Sequence, residues 1–264
     1  MVKRCSPLVA NRSDCAHILV IVCFCVCRWR CALSVAMSSL FACEDPAAWR
    51  AVFGNYWDVV EAKSKMKKPG KLLDLEKWYQ EELPTLISSR PDIHVTRSEL
   101  VKLMEWKLTR GKFRPRLQQL VASNSAAAVE RCSRAAFSLL PDVQAAVAEL
   151  SSLTGVGPAT ASAVLAAAAP GRAAFMSDEA VASVPGLKPL QYTAKHYALY
   201  LGEMIQCSEK LNKADPQQDW TPHRLELCLW ASANQQQLPP KEVDVKEKRS
   251  GATEQRPTKK LRTR

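Results

Sequence analysis

Two short stretches carry the residue types best suited to chemistry. They are Leu150-Ser-Ser-Leu-Thr-Gly-Val-Gly-Pro-Ala-Thr-Ala161 and Phe175-Met-Ser-Asp-Glu-Ala-Val181. In the first, Gly155 and Gly157 flank Val156, and Pro158 follows. Glycine allows positive φ and close approach of another backbone, and Pro is favoured at the first position of a helix. A helix starting there leaves its first N–H groups without intrahelical acceptors, which is a site for phosphate. The candidate cradle is Gly155, Val156, Gly157, Ala159 and Thr160, acting through backbone N–H groups. In the second stretch Asp178 is the candidate reactive carboxylate, with Glu179 beside it. A structural hairpin with Asp178 as a helix N-cap explains the same residues without chemistry. A third stretch, Lys107 to Arg116, places Lys107, Arg110, Lys112, Arg114 and Arg116 around Phe113. Arg110, Lys112 and Arg114 are candidate phosphate contacts, and a solvated turn is the alternative. No Ser/His/Asp set, P-loop or metal-ligand spacing competes, and no cofactor is expected.

The elements that must position these groups read as helices throughout. Asp45-Pro46 is an N-cap followed by Pro, with Trp49, Val52, Phe53, Tyr56, Val59 and Val60 at helical spacing behind it. Lys63 to Lys71 reads as a lysine-rich linker, and Leu72 to Leu83 as an amphipathic helix. Thr96-Arg-Ser-Glu99 is a capping-box sequence that opens a helix running to the basic loop. Ser125 to Leu140 and Asp142 to Leu153 are further helices divided by Pro141. Thr160 to Ala169, small and apolar on all sides, is the second arm of a hairpin. Thr193 to Leu211 and a helix capped by Thr221-Pro222 complete the series. No strand-like alternation appears, so the fold class is all-α.

The net charge of +11 is unevenly spread. Residues 1–36 hold five Lys/Arg against one Asp, and residues 241–264 hold nine against four acids. The central chain is therefore close to neutral, and any nucleic-acid footprint must be local. Six of the ten cysteines also fall in residues 1–36. Cys43, Cys132, Cys207 and Cys228 are scattered, as reduced core residues are. Residues 1–36 read as a non-globular leader. Their apolar run, Ala16 to Cys27, is too short to span a bilayer. Met37 as an alternative start, a signal peptide and a mitochondrial presequence all remain open for it. Residues 37–234 form the helical domain, and no membrane span is expected. Residues 235–264 read as a disordered basic tail. In it Lys248 and Arg249, then Lys259, Lys260 and Arg262, resemble a bipartite nuclear-localisation signal read by an import receptor.

Leu150, Leu153, Gly155, Gly157 and Ala161 fill every fixed place of the helix-hairpin-helix pattern, and Asp178 opens the helix that follows. In this the chain resembles the helix-hairpin-helix DNA glycosylases. Over Ser39 to Asn234 it also resembles the Amun-like proteins, on the loop from Trp106 to Pro115 and on Ser177-Asp178-Glu179. The resemblance implies a two-lobed helical glycosylase-like domain, a monomer in the nucleus with DNA as its partner. It implies Asp178 as the carboxylate that stabilises the sugar cation and orients water during cleavage of an N-glycosidic bond. The base must first leave the duplex. Bifunctional relatives carry a lysine in the hairpin as an imine-forming nucleophile; Ala159 stands there, so base excision without strand nicking is expected. The basic loop departs from the Gln and Ser usual in that family, and four clustered cysteines for an iron–sulfur cluster are missing. The competing expectation is a catalytically inactive nuclear scaffold that keeps the fold to bind nucleic acid or protein.

Overall fold

A computed structural model of the chain describes residues 40–66 and 70–236. The leader at 1–36 and the tail with Lys248, Arg249, Lys259, Lys260 and Arg262 lie outside the described residues. Twelve α-helices and no strand are present among the described residues. In chain order they are α1 (Pro46–Gly54), α2 (Tyr56–Met66), α3 (Lys71–Lys77), α4 (Leu83–Ser88), α5 (Arg97–Arg110) and α6 (Pro115–Ala122). There follow α7 (Ala126–Ser138), α8 (Val143–Leu150), α9 (Pro158–Ala168), α10 (Asp178–Ser183), α11 (Ala194–Ala214) and α12 (Pro222–Gln235). A π-helical turn, Trp78–Glu82, joins α3 to α4, and a 3₁₀ turn, Leu40–Ala42, precedes α1.

Local chemistry sets most of the boundaries. Asp45 Oδ1 accepts from Ala47 N at 2.9 Å, and Pro46 begins α1. The capping box at α5 is complete: Glu99 N donates to Thr96 Oγ1, and Glu99 Oε2 accepts from Thr96 N. Ser125, Asp142, Ser177, Thr193 and Thr221 cap α7, α8, α10, α11 and α12 through their side chains. Where the sequence predicts one helix through Trp49 to Val60, the chain breaks at Gly54 and Asn55 and starts again at Tyr56. The predicted helix ending near Leu83 continues past Pro84 to Ser88, because Pro84 sits in the first turn of α4, where its missing N–H costs nothing.

The hairpin is α8, a turn over residues 151–157, and α9. Every residue of α9 from Ala159 to Ala167 is buried, which explains its small side chains. One large core gathers residues from α1 and every helix from α3 to α12, while Tyr56, Val59, Val60, Leu72, Leu227, Trp230 and Ala231 form a smaller cluster under α2 and α12. Tyr79 stacks on Trp106 with ring centroids 3.6 Å apart, and its hydroxyl donates to Ala163 O at 2.8 Å. That bond ties α9 to the π turn. Cys132 and Cys228 are buried, Cys43 and Cys207 are half-buried, and all four are free thiols. Among the described residues, no helix is long and apolar enough to cross a membrane.

Candidate functional site

Gly155 takes φ +78°, and a Cβ there would meet Leu120 Cβ at 2.8 Å and Val121 N at 3.0 Å. It is therefore the glycine that lets the hairpin turn close against α6. Gly157 is extended, with φ −110° and ψ −178°, and a Cβ there would meet nothing within 4 Å. Asn124 fastens the turn from the side: its Nδ2 donates to Thr154 O and its Oδ1 accepts from Thr154 N, both at 2.9 Å. The Gly157 carbonyl accepts from Thr160 N at 2.8 Å and Ala161 N at 2.9 Å. Among the described residues no acceptor stands opposite the N–H of Gly157 or Ala159. The Thr160 N–H, expected in the cradle, is taken up by that turn. Val156 is buried and points its side chain into the core. The hairpin N–H groups with no acceptor among the described residues are thus those of Gly155, Gly157 and Ala159, while Val156 N donates to Leu153 O.

Asp178 owes its position to the residue before it. Ser177 caps α10 and donates its hydroxyl to Glu226 Oε1 on α12 at 2.5 Å. The strand of chain leading in is pinned by three further bonds. Met176 N donates to Ser162 Oγ on α9, and the hydroxyls of Tyr197 and Tyr200 on α11 donate to Ala174 O and Phe175 O. The Asp178 side chain then emerges beside the basic loop. Tyr192 donates its hydroxyl to Oδ1 at 2.7 Å, and Lys112 Nζ lies 2.8 Å from Oδ2. Burial and the Asp178 carboxylate push the Tyr192 phenol up to about 12. The Arg114 guanidinium sits over the Tyr192 ring, 5.2 Å from its centroid.

Arg110 corrects the sequence expectation. It is 1 % exposed, and its Nη1 and Nη2 donate to the Glu226 carboxylate at 2.8 and 3.2 Å. Its Nε lies 3.5 Å from Glu76 Oε2, and its guanidinium stands over the Trp230 ring at 4.4 Å. Glu76 in turn accepts from Tyr56 Oη and Trp106 Nε1. Arg110 therefore anchors the end of α5 to α12 inside the protein and is not a surface cation. Burial pushes Glu226 above the usual carboxylate range, with Arg110 and Ser177 pulling it down. One carboxylate thus holds both the root of the basic loop, through Arg110, and the root of Asp178, through Ser177.

These parts surround one cavity of about 470 Å³. The hairpin lines it with Gly155, Gly157, Ala159 and Thr160, and the basic loop with Lys112 and Arg114. Asp178 and Glu179 line another wall, with Tyr192, 39 % exposed, and the buried Phe175 and Trp230 beside them. Asp178 therefore faces the hairpin across an open space. Phe113 projects beside it, 77 % exposed. Sequence reasoning missed Lys63, whose Nζ is 3.7 Å from Glu179 Oε1, and missed Tyr192 and Glu226; none of them belongs to a recognisable motif. Among the described residues no three His, Cys, Asp or Glu side chains converge to hold a metal ion. Comparison with protein-family models, curated proteins and solved structures finds no match to this chain.

Proposed function

We propose that the chain binds DNA at this cavity and excises a base from it, with Asp178 as the catalytic carboxylate. The observation that carries the reading is the cavity itself, in which Asp178 faces the open N–H groups of Gly157 and Ala159, with Lys112 and Arg114 at the rim. A phosphate at the hairpin would leave the adjoining nucleotide to enter the cavity beside Tyr192, where a base can stack. Asp178 would then stabilise the positive charge that develops on the sugar as the N-glycosidic bond breaks. The two-lobed glycosylase-like architecture, nuclear import through the tail and a monomeric state belong to the same proposal.

A gel-shift titration on damaged and undamaged duplexes, with a product gel run alongside, tests the reading. Asp178→Asn should retain or tighten binding, because a negative charge near the phosphates is removed, and should lose all excision. Wild-type protein that fails to bind duplex at low salt would retire the proposal. One observation favours a second reading, a non-catalytic nucleic-acid-binding protein: both Asp178 oxygens are already occupied, by Tyr192 and Lys112. Binding without excision on any substrate selects that reading. Replacing Lys259, Lys260 and Arg262 by Ala should move a tagged protein out of the nucleus, and unchanged accumulation would remove the import signal.

A further inference from the structure

The Asp178 carboxylate is met from two sides by groups of two different loops. Lys112 Nζ lies 2.8 Å from Oδ2, and Tyr192, in the loop between α10 and α11, donates its hydroxyl to Oδ1 at 2.7 Å. The two loops also meet each other, because the Arg114 guanidinium stands over the Tyr192 ring at 5.2 Å. Lys112, Arg114, Tyr192 and Asp178 thus close a ring of contacts, and all four line the cavity. The tips and the roots of this ring differ in strength. Lys112 and Arg114 are exposed and Tyr192 is 39 % exposed, so each contact competes with water and contributes little. Beneath them, Arg110 and Ser177 are buried on Glu226 and hold both chain segments in place. The ring can therefore open at its tips without disturbing its roots. Burial and the Asp178 carboxylate push the Tyr192 phenol up to about 12, so it remains a donor at neutral pH.

We infer that Lys112, Arg114 and Tyr192 form a strap that masks the Asp178 carboxylate in the free protein, and that a polyphosphate chain opens it by drawing the two cations outward. The inference rests on the proposed DNA reading for its natural ligand, the sugar–phosphate backbone. Charge favours the exchange. Lys107, Lys112 and Arg114 line the cavity with Asp178, while Glu179 is engaged by Lys63. Three cations against one carboxylate leave an excess that attracts an anion. A phosphate brings a full charge and several acceptor oxygens to cations that hold only one carboxylate and one ring face between them. Its own charge repels Asp178, so the cations it takes are withdrawn from the carboxylate rather than shared with it. Once Arg114 leaves the Tyr192 ring and Lys112 leaves Oδ2, one exposed hydrogen bond from Tyr192 remains, and its net strength is modest. The occupied carboxylate, which taken alone favours a non-catalytic protein, is then the resting state of the site.

The test uses the full chain, labelled with carbon-13 at the tyrosine Cζ, and two probes: a DNA duplex and inorganic tripolyphosphate. The Tyr192 resonance is identified by its loss in Tyr192→Phe, and its unstrapped position is read from Asp178→Ala. Either probe should move the wild-type resonance toward that unstrapped position as it saturates, and sodium chloride at equal ionic strength should not. In gel shifts, Tyr192→Phe should tighten duplex binding by about twofold to tenfold, the ratio that one net hydrogen bond supplies. The same change should have no effect in the Asp178→Ala background. Tyr192→Phe keeps the ring beneath Arg114, so its helical signal and thermal midpoint should match wild type. A bound duplex that leaves the resonance in place, or an equal effect of Tyr192→Phe in both backgrounds, overturns the strap while leaving DNA binding intact. An equal shift with sodium chloride also overturns it, since screening alone then opens the contact. A shift with tripolyphosphate in a protein that does not bind duplex supports the strap and retires the DNA reading. No shift with either probe overturns the strap.

Discussion

Lys112 and Asp178 meet at 2.8 Å with the lysine 69 % exposed, so the pair contributes little to folding. Exposed pairs contribute about 0–1 kcal/mol. Lys112→Ala should therefore leave the thermal midpoint nearly unchanged. If Lys112 exchanges Asp178 for a DNA phosphate, the same variant should reduce the slope of log affinity against log salt by roughly 0.9. Titrations at two or more salt concentrations check this, and an unchanged slope would place Lys112 outside the footprint. Arg110 should behave in the opposite way. Arg110→Met strands Glu226 and Glu76 among aromatic rings, and losing one partner of a buried ion pair typically costs about 3–5 kcal/mol. Denaturant unfolding measures the loss. In sequence the two cations look alike, two positions apart among the five Lys and Arg between residues 107 and 116. What separates them is Glu226, 116 residues away from Arg110, and no local pattern announces that contact.

At the scale of elements, the hairpin was legible because Gly155 turns at positive φ and Pro158 stands at the start of α9, both marks of local backbone geometry. The capping box of α5 was legible for the same reason. The π turn at Trp78–Glu82 and the clamp from Asn124 were not, since both depend on what packs against them. The two glycines of the turn look equivalent in sequence and are not. Gly155→Ala combines a positive φ with a Cβ at 2.8 Å from Leu120 Cβ, so it should destabilise the fold by about 1–3 kcal/mol. Gly157→Ala fits open space in an extended backbone and should leave stability close to wild type. Gly157→Val should also fold, yet weaken duplex binding by obstructing the approach to the hairpin N–H groups. Thermal melts of the three variants, with gel shifts on the two that fold normally, separate packing from binding.

Across the whole molecule, the buried polar network extends from Glu76 through Gln80 to His223. His223 Nε2 lies 2.8 Å from Gln80 Oε1, and Gln80 Nε2 donates to Glu76 Oε1, which fixes His223 Nε2 as the protonated nitrogen. Burial, and then the Arg110 charge, lower the His223 pKa from 6.5 to about 3. The folded state thus resists a proton that the unfolded chain accepts. This contribution to stability is complete above the unfolded value of about 6.5 and is lost as pH falls toward about 3, at no more than ~1.4 kcal/mol per pH unit. Urea unfolding at pH 7.5, 6.5 and 5.5 should show a small decline over the first step and a larger one over the second, and His223→Gln should flatten both. The all-α architecture followed from periodicity and caps. The charge buried at its centre did not, because a charged residue in a helical pattern reads as solvent-facing until its partner is known.

The carboxylate of Glu226, shared between Arg110 and Ser177, has a consequence for descent. Arg110 and Glu226 come from two helices, and neither can be lost alone without leaving the other's buried charge without its bidentate partner. Lineages of this chain should therefore inherit the pair as a block or discard it as a block. An intermediate lacking one member would be purged for instability, so drift at these positions should be concerted, whatever happens to Lys107, Lys112 and Arg114 on the rim. A cohort of related sequences in which Arg110 is apolar while Glu226 persists would show that the interior tolerates what its geometry forbids here.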